Sequence, residues 1–285
     1  MFTSLSYRRL EQHTPTRMLV GAVHAHLALA QQLTKACRDG QRARLLGAIS
    51  EIAGLAGWLH ADLVEAAQAR RFYRMSIFAA GRAGHQLLPI YMQGSLGQYA
   101  TNAGDPVEGL RLIRGAAARL PRSAPRIARA WLCALEGVAL ACAGDRVGLT
   151  VLDQADRHAD AAQDDEPVWP WVFAFDARKI AVQRAVAAAR LRLPAVALEA
   201  FAQAGESRSP KQAAVAAVDF ARALAAAGNV DEACRVAAAA YDTGRTYGSE
   251  RACQAARDFR SRLRAPARAL RDLDDRIHAS YLEDG

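Results

Sequence analysis

Histidines, acids, aromatics and arginines are the residues of this chain that could do chemistry, and their spacing decides which kind. His24 and His26 are two positions apart. On a helix that sets them about 200° apart, so they cannot share one ion. No HExxH and no Cys/His cluster occurs, so no metal site is expected. Asp153, Asp156 and Asp160 fall on one helical face, which reads as solvated acidic surface rather than a cation site. There is no GxSxG elbow, no cysteine in a recognisable nucleophile setting, and no glycine-rich phosphate loop after a strand. Gly81-Arg82-Ala83-Gly84 and Gly94-Ser95-Leu96-Gly97 are explained by helix ends and packing. No residue offers itself for catalysis, no cofactor is implied, and a binding role is the stronger expectation.

The charge points the same way. A net charge of +8 invites a nucleic-acid reading, but only Lys35, Lys179 and Lys211 are lysines. An arginine-over-lysine, alanine-rich bias follows from a high-GC genome as readily as from a phosphate-binding surface, and a net field names no partner. The arginines Arg111, Arg114, Arg119, Arg122, Arg126 and Arg129 have no acid among them between Glu108 and Glu136. That run suits phosphate or an acidic surface, yet a solvated outer face is the favoured reading. Dispersed, lysine-poor charge argues against nucleic acid. No stretch of about 18 uncharged apolar residues is present, so no membrane span is expected. Met1–Leu10 lacks the apolar core of a signal peptide. The five cysteines form no CxxC pair and read as small buried hydrophobes in a reducing, cytoplasmic compartment.

The elements that position these residues follow from a repeat. Gly57, Gly97 and Gly137 stand forty residues apart, as do Ala69, Gly109 and Leu149. A fixed period of this size marks stacked helical hairpins. A small residue in one helix, with another twelve positions on, lets two helices pack closely. Polar turns at His60-Ala61-Asp62, Gly104-Asp105-Pro106 and Gly144-Asp145-Arg146 separate them, with Gly ending one helix and Asp or Pro starting the next. Alanine is abundant and alternating β-branched runs are absent, so the fold is expected to be all-α.

In order, Met1–Gln12 is short and polar, and a helix runs from about Arg17 to Arg38 until Asp39-Gly40 ends it. Hairpins follow at Leu45–His60 with Glu65–Arg82, Leu87–Ala103 with Val107–Leu120, and Arg126–Ala143 with Val147–Ala161. The register then breaks at Asp164–Trp171, an acidic segment with two prolines and two tryptophans. A helix from about Trp171 to Leu191 pairs with Ala195–Ala204, and a fifth hairpin spans Lys211–Ala227 and Asp231–Gly244, with Ala221 and Ala233 twelve apart. Glu250–Leu263 and Ala267–Tyr281 close the end, their charged faces suiting a terminal repeat. The expected units are an N-terminal cap over residues 1–40, three hairpins in register over 41–162, an irregular pair over 163–245, and C-terminal capping helices over 246–285.

The paired spacing, with Phe72 and Tyr73 after Ala69 and with Pro121 closing a hairpin, resembles the tetratricopeptide repeat, although that family's first-helix tryptophan and tyrosine are largely missing. The resemblance implies a right-handed superhelical solenoid of about five hairpins whose first helices line a concave groove. With Gly57, Gly97 and Gly137 in phase, that groove receives Glu51 and Trp58, then Tyr91, Gln98 and Asn102, then Trp131 and Val138. Extending the phase to Ala185 and Ala221 adds Lys179 and Arg222. Aromatic platforms with amide side chains suit an extended peptide, whose backbone the amides pair. Against this, Trp58 and Trp131 could equally fill space between hairpins, and Asn102 could serve only as a helix cap.

Thr14-Pro15-Thr16 before an apolar helix, then Ala56–Asp62 and Ala69-Arg70-Arg71-Phe72-Tyr73, is similar to the C-terminal sensor half of bacterial helix-turn-helix regulators that carry tetratricopeptide-like repeats. Too few residues precede Thr14 for a DNA-binding domain, so the resemblance implies a sensing scaffold without one. The expectation is a non-enzymatic scaffold that binds a peptide or protein, with pairing through Arg17–Arg38 or Ala267–Tyr281 as its route to a homodimer. The alternative is an enzyme or small-molecule binder whose pocket the helices enclose and Trp169–Trp171 lids.

Overall fold

The computed structural model describes residues 2–162, 175–205, 207, 209–264 and 267–283. Among them lie fourteen α-helices and no strand. Two helices open the chain, α1 (Phe2–Glu11) and α2 (Thr16–Ala36). Six pairs follow: α3 (Asp39–Asp62) with α4 (Ala66–Arg82), α5 (Leu88–Asn102) with α6 (Pro106–Ala118), and α7 (Arg126–Cys142) with α8 (Val147–Asp160). The second three are α9 (Ala177–Arg190) with α10 (Pro194–Ala204), α11 (Pro210–Ala226) with α12 (Val230–Thr246), and α13 (Glu250–Arg262) with α14 (Ala267–Glu283).

One turn recurs, and it explains the hairpins. The backbone N–H of the third residue past the helix end donates to the carbonyl five residues back in five turns: Glu65 to His60, Asp105 to Ala100, Asp145 to Leu140, Leu193 to Ala188, and Asn229 to Leu224. The residue between them is left-handed, at Gly104 (φ 90°), Gly144 (85°) and Gly228 (90°), where glycine carries no penalty. Val64 (61°) and Arg192 (57°) hold the same position in the other two turns. The common geometry, together with contacts between neighbouring helices, is consistent with a helical repeat.

Small residues bring the paired helices together. A Cβ on Gly97 would lie 3.0 Å from the Gly109 carbonyl oxygen, and one on Gly137 would lie 2.7 Å from that of Gly148. The third close approach therefore uses Gly148 rather than Leu149, eleven positions on instead of twelve. Gly57 instead admits the Tyr73 ring, 3.0 Å from where its Cβ would stand.

The first helices of successive pairs also touch in sequence: α3 meets α5, α5 meets α7, α7 meets α9, α9 meets α11, and α11 meets α13. Then α13 meets α3. The series of first helices returns to its start.

Four expectations are corrected. Met1–Gln12 is not merely a polar lead, because Phe2–Glu11 is a helix. Asp39-Gly40 begins α3 instead of ending α2. The first hairpin turns at Leu63-Val64-Glu65, since α3 continues through Asp62, whose side chain is buried. The described helix after the irregular segment begins at Ala177, and the Asp164–Trp171 stretch lies outside the described residues. No described helix is long and apolar enough to cross a membrane.

Candidate functional site

A buried polar cluster stands where the two ends of the series meet. Asp62, the last residue of α3, is 1% exposed. It accepts from the Thr16 hydroxyl at 2.6 Å and from the Ser249 hydroxyl at 2.7 Å. Thr16 opens α2, and Ser249 precedes α13. The Thr16 hydroxyl in turn accepts from the Lys211 ammonium at 2.7 Å, and its backbone N–H donates to the Tyr247 carbonyl at 3.3 Å. Arg251 Nε stands 3.5 Å from Asp62, and Lys211 Nζ stands 3.9 Å from Glu11. Two acids thus face two bases, with Asp62 and Lys211 each 1% exposed. Burial pushes the Lys211 ammonium below the ordinary lysine range, and Glu11 and then Asp62 partly restore it.

From this cluster α1 runs along the aromatic residues of the inner helices. Glu11, at its end, accepts from the Trp58 indole N–H at 3.1 Å, and the Arg251 guanidinium covers the Trp58 ring at 4.8 Å. One turn earlier, Arg8 donates to the Tyr91 hydroxyl at 3.4 Å and stands 5.9 Å above its ring. Tyr91 packs against Trp131 with ring centres 5.1 Å apart. Beneath them the Tyr73 phenol is raised well above the usual range by burial and by Tyr91, while Arg8 and Arg251 oppose the shift.

The structure therefore gathers Trp58, Tyr91 and Trp131 of the expected groove, and supplies Glu11 and Arg8 from a helix the sequence did not announce. Trp58 is half-buried, and Tyr91 is 9% exposed. Trp131, 6% exposed, fills the space over Gly94, where a Cβ would lie 2.7 Å from its ring, so the space-filling reading holds for it. Glu51 and Gln98 are half-buried on α3 and α5, and Val138 is buried. Asn102 is exposed as the last residue of α5, and Lys179 is exposed in the first turn of α9. Arg222 sits elsewhere, joining Arg190 on the buried Asp219.

A second cluster pairs His24 of α2 with His60 of α3, Nε2 to Nε2 at 2.9 Å. Glu65 engages His60 Nδ1, and Phe72 stacks on the His60 ring with 6° between planes. Burial, and then His60 and Arg71, lower the His24 pKa from its ordinary value. Among the described residues no group of three or more His, Cys, Asp or Glu is placed to hold a metal ion.

Much of the arginine run is committed within the chain. Arg111 pairs with Glu108, Arg114 with Glu136, Arg126 with the Ala161 carbonyl, and Arg129 with that of Pro121. The Trp169–Trp171 lid of the alternative reading lies outside the described residues.

Neither a family model nor a curated protein matches this chain.

Proposed function

We propose that the protein is a non-enzymatic, tetratricopeptide-like solenoid, with a regulatory role, that holds a peptide or protein segment on its inner face. The observation that supports this reading is that α1 already covers aromatic residues of α3 and α5, with Arg8 on Tyr91 and Glu11 on Trp58. An aromatic surface that takes up a short helix of its own chain has the means to take up another. Rings offer area at low conformational cost, and the indole N–H and phenol oxygen fix orientation.

Capture from extract of the host cell tests this reading. Wild type is compared with a Trp58→Phe/Gln98→Ala/Asn102→Ala variant and with Val107→Ala on the exposed side of α6. The partner should be recovered by wild type and Val107→Ala and lost by the triple variant, which should still unfold in one cooperative transition above the capture temperature. Equal recovery by the triple variant would remove the inner face from the account.

A further inference from the structure

Resting on that reading, we propose that α1 is a displaceable internal occupant, and that the partner is a helix carrying an arginine and a glutamate three positions apart that competes with α1.

Three observations carry this. Arg8 and Glu11 are one turn apart, so a single face of α1 makes both contacts, the cation over Tyr91 and the carboxylate on the Trp58 indole. Glu11 is 6% exposed and also faces the buried Lys211, so the inner face offers one site for an acid and, a helical turn away, one for a base. Any occupant of Trp58 and Tyr91 must replace those two side chains or leave both sites unfilled. Finally, beyond these contacts the described side chains of α1 add Tyr7, half-buried on the core that α2, α3 and α4 build and with its ring centre 5.9 Å from that of His26, while Leu10 is 52% exposed and Arg9 is exposed.

The tether explains why such a helix would act as a gate. A segment joined to its site by the short link at Gln12–Pro15 acts at an effective concentration of about millimolar, and a partner's apparent affinity falls by the fraction of time the site stands open. A helix that reproduces the Arg and Glu contacts and adds its own therefore binds, whereas a peptide lacking them does not.

The test uses the full chain and a fluorescent peptide of residues 2–13, read by anisotropy. Wild type should bind it weakly. Arg8→Ala in the chain removes a cation–π contact and a hydrogen bond from the tethered copy only, so the peptide should bind that variant about tenfold more tightly. The same peptide carrying Arg8→Ala should lose the gain. Hydrogen exchange of α1 in the Arg8→Ala chain should rise while that of α3 and α5 holds, which separates release of α1 from unfolding. Equal affinity for both chains, or no binding to the variant, would overturn the proposal. If the captured partner depends on the inner face yet leaves α1 exchange unchanged, displacement falls and the proposed function stands.

Discussion

Replacing Asp62 by alanine should unfasten both ends of the chain at once. Asp62 accepts two hydrogen bonds, from Thr16 at 2.6 Å and Ser249 at 2.7 Å, and both hydroxyl-bearing residues are 0% exposed. Its loss strands two buried donors, each costing about 1–3 kcal/mol. It also removes the acid that faces Arg251 and leaves Glu11 as the acid beside Lys211. Removing one partner of a buried ion pair costs about 3–5 kcal/mol, and because these terms overlap the expected loss is about 4 kcal/mol. That is a large part of the 5–15 kcal/mol that holds a typical domain together. Asp62→Asn keeps the volume and one acceptor and should lose about half as much. Urea unfolding measures both. The sharper readout is hydrogen exchange: Asp62→Ala should quicken exchange at the start of α2 and across Tyr247–Arg251, segments far apart in sequence, while α7 and α8 stay protected. A loss below about 1 kcal/mol, or faster exchange at only one of the two segments, would refute the reasoning.

Other substitutions check the hairpins and the histidine pair. Gly109→Ala would set a Cβ 2.1 Å from the Thr101 hydroxyl oxygen and 3.0 Å from the Gly97 carbonyl, and should cost about 1–3 kcal/mol by thermal unfolding. Gly21→Ala, where nothing lies within 4 Å, should instead stabilise α2 by about 0.5–1 kcal/mol. Val64→Gly relieves a β-branched residue held at φ 61° and should raise stability by about 1 kcal/mol, read as a higher urea midpoint. The lowered His24 pKa means that the unfolded chain takes up the proton first as pH falls. The stability it supports is present above pH 6.5, its unfolded value, and is lost as pH drops through the folded one. His24→Gln should flatten the pH 7 to 5 stability profile in part only, because His158 is lowered in the same direction by burial and by Arg129, Arg157 and Arg126.

The hairpins were legible because their causes are local. The Gly and Asp of the second and third turns and the small residues at the close approaches lie within one repeat, so period and composition expose them. Even there, Leu149 hid Gly148, since a strict twelve-residue count overlooks a glycine one place earlier. The aromatics were half legible: the sequence singles out Trp58 and Tyr91 by their place in the repeat, but not that both meet α1. The occupant of that face was not legible, because α1 is too short and polar to declare itself and gains its place only from contacts such as Arg8 with Tyr91, 83 positions away. The closing cluster was hidden for the same reason. Asp62 and Lys211 look like ordinary surface residues until Thr16 and Ser249 arrive from 46 and 187 positions away from Asp62. One signal was present: Lys211 is a rare lysine in an arginine-rich chain, directly after a Ser-Pro helix start. His24 and His60 likewise meet only across two helices.

The meeting of the two ends closes the series of first helices, and a disulfide measures it directly. A Cβ on Gly248 would stand 3.6 Å from the Pro15 Cβ, within the usual range for a bridged pair. Gly248 has φ 58°, so a cysteine there costs some backbone strain but can reach its partner. Mild oxidation of the Pro15→Cys/Gly248→Cys chain, followed by peptide mass mapping with wild type as the control for its own five cysteines, should give one new crosslink between these positions. The oxidised chain should run faster on a non-reducing gel and melt at a higher temperature than its reduced form. Two free thiols after oxidation would contradict the closure.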